Sequence, residues 1–263
     1  MSILAKNRNF RLVFSATAIS NLGDGISALA FPWLATLITR DPTLIALVAF
    51  ATRLPWLLLS IPAGVITDRM DRQRLMVQAD VFRFLLTCGV IALIMSIGSF
   101  PPPGKPEVYI FALSGLAFLL GAAEVLRDNA AQTVLPSVVE KRDLEQANGQ
   151  LWSVEQIMGS FVGPPLAGVL IATAVPVPFV VDAVTFALAA WIIWCMSIPA
   201  RPARVKRSMI AEAGEGARWM WAHKSVLQLA VMLGFMNALS MMAVTILILY
   251  SQEILGLGAA GHG

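Results

Sequence analysis

The sequence predicts an all-α membrane protein that consists of a six-helix bundle and a seventh spanning helix. Apolar residues make up 57% of the 263 residues, charged residues only 13%, and the mean hydropathy is +0.74. Soluble domains of this size are less apolar. Seven windows are mostly apolar over the roughly 20 residues that a spanning helix requires. They cover 12–37, 43–66, 75–98, 109–130, 150–173, 177–198 and 225–250.

The first six windows follow one another through short loops, which indicates one compact helical unit over residues 1–199. A polar, basic stretch with two tryptophans follows over 200–224. We interpret it as a cytoplasmic amphipathic linker at the membrane surface. Residues 225–263 hold the seventh window and what resembles the approach to an eighth. We therefore expect a chain that is truncated at the start of a second half.

The basic residues lie mainly on one side of the predicted membrane. Only Arg40 and Lys105 lie in the alternate loops. By the positive-inside rule, we expect a multi-pass protein of the cytoplasmic (plasma or inner) membrane with a cytoplasmic N-terminus. The net charge of +3 is then explained by the basic residues of the cytoplasmic loops, which set the orientation in the lipid bilayer. Nucleic-acid binding is not expected. Fourteen of the 19 basic residues share this side: Lys6, Arg8, Arg11, Arg69, Arg72, Arg74, Lys141, Arg142, Arg201, Arg204, Lys206, Arg207, Arg218 and Lys224.

The residues that usually carry catalysis or metal binding are sparse. Cys88 and Cys195 lie in different predicted spans, and the two histidines are far apart in the sequence. This pattern predicts no disulfide framework and no metal site. A phosphate-binding G-x-x-x-x-G-K-[ST] loop is not found. We therefore expect no catalytic residues, no cofactor and no ATP-driven chemistry in the chain.

The loop between the second and third windows carries the densest charge cluster of the chain. It matches the pattern G-x-x-x-D-[RK]-x-G-[RK]-[RK] through Gly64, Asp68, Arg69 and Arg72, with Arg74 one position late. The loop reads Gly64-Val-Ile-Thr-Asp-Arg-Met-Asp-Arg-Gln-Arg74, and it departs from the pattern at Asp71 and Gln73. A positive-inside loop explains arginines, but it does not explain a glycine and an aspartate at fixed spacing.

The fifth window contains a second spaced motif of glycine and proline. Its glycines predict close helix packing, and its prolines predict a bend. A generic packing face would need only the first two glycines. The motif consists of Gly159, Gly163, Pro164 and Gly168, with Ala167 where a further glycine is expected.

With these motifs, the chain resembles the N-terminal half of a major facilitator superfamily transporter, in the twelve-helix drug and macrolide efflux branch. The resemblance extends over essentially the whole chain. Further matching segments are Asn7-Arg-Asn-Phe-Arg-Leu, Asn21-Leu-Gly-Asp-Gly, Arg53-Leu-Pro-Trp, Leu135-Pro-Ser-Val-Val and Asp182-Ala-Val-Thr-Phe. The resemblance implies a secondary active transporter that exports small hydrophobic compounds or drugs in exchange for protons. The fifth-window motif resembles the antiporter motif of that family.

The resemblance also implies a role for the charged loop as a cytoplasmic gate. In the family, the loop joins a charge relay with the fourth helix and the start of an eleventh. Asp68 and Arg72 are then gate residues. Asp80 and Arg83, with Arg127 and Asp128 on the fourth window, are expected near the cytoplasmic edge as a structural salt-bridge cluster with this loop.

Ionisable residues inside spans usually mark function or pairing. Counting along the helices places Asp24 about 18 Å deep and Arg53 about 15 Å deep, both near the midplane. Their pairing has two interpretations, a proton-coupled switch and a static ion pair. Glu124 and Glu155 are expected in the cytoplasmic third, where each faces a cavity or pairs with an arginine. Asp182 is expected about one turn from the outer end, within reach of water.

The sequence leaves two functions open. One is proton-coupled export. The other is a non-transporting membrane protein that acts as a scaffold, or as a half-transporter that needs a second chain or a second copy. Transporters of this type bind substrate between two halves, and the predicted helices form one half.

Overall fold

The computed structural model describes residues 3–197 and 209–257, and every regular element in these ranges is helical. Residues 200–208 of the predicted linker and 258–263 of the predicted second half lie outside them. After a short turn at Ile3–Lys6, the helices are α1 (Arg8–Ile38), α2 (Pro42–Arg69), α3 (Arg72–Ser96), α4 (Pro106–Val138), α5 (Leu144–Gln156, Ile157–Val162 and Gly163–Thr173), α6 (Val177–Trp194), α7 (Met209–Ala222) and α8 (Lys224–Glu253).

The helices begin where the sequence supplies caps for their free amide groups. Asn7 accepts a hydrogen bond from the amide of Phe10 at 3.0 Å and so caps α1. Asp41 caps α2, and a proline occupies its first position. Such side-chain caps are each worth about 1 kcal/mol. Pro106 likewise begins α4. The short loops between these caps force consecutive helices to run antiparallel.

The six helices α1 to α6 pack into a bundle in which α1 contacts α5 and α6, and α3 contacts α4 and α6. Helix α2 packs mainly on α4. One apolar cluster joins Phe10, Met76 and Ile193. We call its end of the molecule the basic end, because the charged loop lies there. A second apolar cluster, which includes Ile38 and Ile110, fills the opposite end.

Six helical segments of the described chain are long and apolar enough to cross a membrane, and they correspond to α1 to α6. Many large apolar side chains on them are exposed, among them Leu57, Phe161 and Trp194. Exposed apolar surface of this extent is stable in lipid rather than in water. The predicted all-α membrane fold is therefore confirmed.

Helix α8 occupies the position of the predicted seventh span. Its 30 residues include a shorter apolar stretch, Lys224–Ser240. Near its C-terminal end, Gln252 accepts a hydrogen bond from Arg40 at 2.8 Å and donates one to Thr36 at 2.9 Å. These contacts attach α8 to the turn between α1 and α2, opposite the basic end. That it crosses the membrane stays a prediction.

Candidate functional site

A cavity of about 290 Å³ lies at mid-bundle, between the two apolar clusters. All six helices of the bundle contribute to its wall, and seven of the residues that line it are charged. All four predicted coupling residues line it. The charged residues of the wall are Asp24, Arg53, Arg83, Glu124, Asp128, Glu155 and Asp182.

Asp24 of α1 pairs with Arg83 of α3, which corrects the predicted pairing with Arg53. Arg83 also donates to Ser20 at 3.0 Å, and its guanidinium lies 3.9 Å from the centre of the Phe186 ring. Arg53 lines the same cavity but is exposed. The similar predicted depth of Asp24 and Arg53 did not identify the partner of Asp24, because Arg83 faces Asp24 across the bundle.

The ion pair continues into a buried network below the cavity. Asp80 lies 3.6 Å from Arg83 and 3.7 Å from Arg127. Arg127 also lies 3.3 Å from Asp128 and donates to Thr17 at 3.4 Å. These four residues form ion pairs with one another, and Asp80, Arg83 and Arg127 are buried within the bundle. Their position near the cytoplasmic edge stays a prediction. A charged group that is buried in this way stays ionised only because partners of opposite charge lie beside it.

Asp182 of α6 is fully buried, so the expectation that water reaches it was wrong. The hydroxyl group of Ser27 donates to its Oδ2 atom at 2.6 Å. Gly23 of α1 makes the approach possible, because a Cβ atom there would collide with Asp182 and Thr185. Depth alone does not predict burial where a glycine lets two helices meet.

Glu124 and Glu155 face the cavity, as one of the two predicted alternatives had it, and each is partly buried. Neither makes an ion pair among the residues that the structure describes, and neither does Asp182. The wall therefore holds five carboxyl groups against the guanidinium groups of Arg53 and Arg83. With all of them ionised, the cavity carries an excess of negative charge.

The glycines of the fifth-window motif bring α5 into direct backbone contact with α1. A Cβ atom on Gly163 would lie 2.5 Å from the Cα of Gly25, and one on Gly25 would lie 2.9 Å from the Cα of Gly159. Real Cβ atoms do not approach so closely. The close packing that the motif predicts is therefore present, and Gly168 is also buried.

Helix α5 changes to a π-helix where it lines the cavity, over Ile157–Val162. The amide of Gly163 bonds the carbonyl of Met158, five residues back. Pro164 and the proline after it have no amide hydrogen. They therefore cannot donate the usual α-helical hydrogen bond to the carbonyl four residues back, and the regular α-helical pattern is interrupted in this turn. Such π-helical turns occur frequently at functional sites. This one presents Gly159 and Ser160 to the cavity.

The two departures of the charged loop from its pattern each make a contact. Asp71 accepts from the amide of Arg74 at 2.8 Å and caps α3. The side-chain amide of Gln73 donates to the carbonyls of Ile193 at 3.0 Å and Met196 at 2.8 Å. Gln73 thus attaches the loop to the end of α6. Sequence reasoning missed this role, because the pattern presents Gln73 only as a missing base.

Asp68 and Arg72 form an ion pair of 3.3 Å across the turn between α2 and α3. The Asp68 side chain is 48% exposed, so the pair contributes little stability on its own. Arg69 and Arg74 are exposed at the same end. The gate role of these residues stays a prediction.

Replacing Gly64 by alanine is expected to leave the free energy of unfolding unchanged or to raise it by up to about 1 kcal/mol. Nothing lies within 4 Å of a Cβ atom built there, and Gly64 lies inside α2. Unfolding of the purified protein in detergent by sodium dodecyl sulfate measures this change. A loss of stability would contradict the open space around Gly64.

Several known bacterial proteins are similar in sequence to this chain. The family described as transmembrane secretion effector matches residues 3–263. The multidrug efflux pump Tap of Mycobacterium tuberculosis is 26% identical over 224 residues, which cover 80% of this chain and 50% of that protein. The staphyloferrin A transporter of Staphylococcus aureus is 27% identical over 177 residues, 67% of this chain and 42% of that protein. The enterobactin exporter EntS of Citrobacter koseri is 27% identical over 175 residues, 66% and 39% respectively. The chain spans about half the length, or less, of these curated relatives.

Proposed function

Because the chain belongs to the transmembrane secretion effector family of the major facilitator superfamily, we propose that its bundle forms one wall of a secondary transporter. This transporter exports small, mainly hydrophobic compounds in exchange for protons. The relatives that carry the words pump, transporter and exporter in their names support export. The observation that carries the proposal is the ion pair of Asp24 and Arg83 at the wall of a mid-bundle cavity.

The ion pair supplies a route for coupling. When Asp24 takes up a proton, it loses its attraction for the guanidinium group of Arg83. Asp80 lies 3.6 Å from that group and is the alternative partner. Arg83 then shifts from the cavity wall toward the buried network. A change in proton occupancy thereby becomes a change in contacts between α1 and α3. Glu124 and Glu155 are further carboxylates from which protons are exchanged with the cavity.

The orientation follows from the distribution of charge. The basic end carries the start of α1 and the loop with Arg69, Arg72 and Arg74, so we place it in the cytoplasm. The N-terminus is then cytoplasmic, and the membrane is the plasma or inner membrane. In this orientation, the Asp68 and Arg72 pair closes the cytoplasmic side, and Arg127 and Asp128 link that gate to the cavity.

Substrate in transporters with repeated halves lies between two bundles. The described residues supply one bundle, whose cavity wall includes Thr52 of α2 and Ser160 of α5. The opposing wall comes from a second bundle, either in the same protein, in a second chain or in a second copy. The glycine contact between α1 and α5 provides a rigid unit that rocks against it.

Changing Asp24 to asparagine is expected to abolish proton-driven export. The amide keeps the size of the side chain, but it neither binds a proton nor holds Arg83 by charge. Bacterial cells without their own main efflux pumps are loaded with the neutral dye Nile red and energised, and accumulation is followed by fluorescence. We expect the parent chain to lower accumulation, and the D24N variant to reach the level of cells with an empty vector.

Asp41→Asn is the matched control, because Asp41 caps α2 outside the cavity and asparagine caps as well as aspartate. It should behave as the parent. Equal export by D24N and the parent would disprove coupling through Asp24. A parent chain that leaves accumulation unchanged across a panel of dyes would instead disprove transport by this chain alone.

A further inference from the structure

The aromatic ring of Phe186 on α6 lies against the guanidinium group of Arg83 at the wall of the cavity. The central carbon of that group is 3.9 Å from the centre of the ring, and both side chains are buried. The face of an aromatic ring attracts a cation, and the attraction is larger where water is excluded. The ring therefore stabilises the guanidinium group in the position that it occupies here.

In this position Arg83 meets one carboxylate directly and another only at a distance. Its Nη2 atom donates to Asp24, and its Nη1 atom donates to the hydroxyl group of Ser20 at 3.0 Å. The same Nη1 atom is 3.6 Å from Asp80, which is longer than a hydrogen bond. The ring contact thus coincides with the pairing of Arg83 and Asp24, and it favours that pairing over a closer approach to Asp80.

We propose that Phe186 is a positioning residue, whose ring holds Arg83 beside Asp24 and thereby sets the pH at which Asp24 takes up a proton. The inference rests on the function proposed above and adds a residue that regulates the same site. Phe186 has no proton to exchange, so it acts only through Arg83. Without the ring face, the guanidinium group moves toward Asp80. The Asp24 carboxylate then loses part of its attraction to a cation and becomes protonated at a higher pH.

Other charged groups surround this pair, and a test has to leave all of them unchanged. Asp80 is the neighbour on α3. A change that is confined to the electron density of the Phe186 ring keeps every one of these charges in place. Any shift in the titration of Asp24 then comes from the ring contact. The charged groups on α2, α4, α5 and α6 are Arg53, Glu124, Arg127, Asp128, Glu155 and Asp182.

The test replaces Phe186 in the full chain by 3,4,5-trifluorophenylalanine, which is introduced by stop-codon suppression. Fluorine withdraws electron density from the ring face and changes the shape of the ring little, so the attraction for a cation falls while the packing is kept. The purified protein is titrated in lipid nanodiscs, and infrared difference spectra are recorded. The C=O band of a protonated carboxyl group that is absent from the D24N protein belongs to Asp24.

We expect the midpoint of the Asp24 titration to rise by about one pH unit in the trifluoro variant, which is a tenfold increase in affinity for the proton. Variants with one or two fluorine atoms should lie between the parent and the trifluoro variant. F186L removes the ring but remains apolar, and it should move the midpoint in the same direction. The pH profile of Nile red export should shift with the midpoint.

Phe179 provides the matched control, because it is buried on the same helix and its ring packs on another ring. It meets Phe31 edge to face, with the ring centres 5.3 Å apart. Trifluorophenylalanine at position 179 should leave the midpoint of the Asp24 titration unchanged. Size-exclusion chromatography checks folding, and the fluorinated series alone decides the test if F186L is not monodisperse.

Three results would overturn the proposal: an unchanged midpoint in the trifluoro variant at position 186, an equal shift from the change at position 179, or an Asp24 band that does not titrate within the pH range in which the protein is stable. Failure of the proposed function gives a different result. A midpoint that rises with fluorination while D24N exports as the parent supports the role of Phe186 but contradicts coupling through Asp24. Export that D24N abolishes, together with a midpoint that fluorination does not move, does the reverse.

Discussion

Replacing Arg83 by methionine is expected to lower the free energy of unfolding by about 3–5 kcal/mol. The side chain of Arg83 is 2% exposed and lies between Asp24 and Asp80. Methionine fills a similar volume but leaves both carboxylates without this cation. Breaking a buried ion pair on one side costs more than the pair itself contributes, because the remaining charge stays desolvated. Unfolding by sodium dodecyl sulfate in mixed micelles measures the loss.

A matched control and a rescue separate this explanation from loss of packing. R74M makes the same change on the same helix at an exposed site, so it should cost little. The double variant R83M with D24N removes one stranded charge and should recover part of the stability. An R83M protein as stable as R74M would show that the ion pair does not hold α1 to α3.

Adding one methyl group at Gly25 is expected to destabilise the bundle by about 1–3 kcal/mol. The G25A side chain would lie against the backbone of Gly159, and backbone cannot move aside as a flexible side chain does. Helices α1 and α5 must then separate along their contact. We expect a lower unfolding free energy in the same assay, together with weaker dye export.

The control for G25A is G115A. Gly115 lies in α4 with open space around its Cα, so alanine should be neutral or stabilising there. Both variants gain the same atoms inside a helix and differ only in what those atoms meet. Equal stability of G25A and G115A would contradict the backbone contact between α1 and α5.

The helices and the family could be predicted from the sequence because both depend on patterns along the chain. Apolar windows locate spans, and spaced glycines and charges identify the motifs. For Glu124 and Glu155 the cavity was one of two predicted alternatives, and Asp24 was predicted near the midplane, because an ionisable residue in a span usually marks function or pairing.

The partners of these charges could not be predicted in the same way. Counting residues gives the depth of a side chain in the membrane but not its direction around the helix. Counting places Asp24 and Arg53 at a similar depth, yet Asp24 pairs with Arg83. Asp182 lies near the end of its helix but is buried, because Gly23 opposite it has no side chain. Both facts depend on which helices are neighbours, and that is a property of the fold.

Three consecutive residues of α1 meet three different helices: Gly23 meets α6, Asp24 meets α3, and Gly25 meets α5. Synthesis runs from the N-terminus to the C-terminus, so α1 is made before any of these three partner helices. Asp24 can pair with Arg83 only after α3 is made, and Gly23 can contact its neighbours only after α6 is made. Although α1 is made before α3, α5 and α6, its contacts are completed only when α6, the last of these helices, has been made.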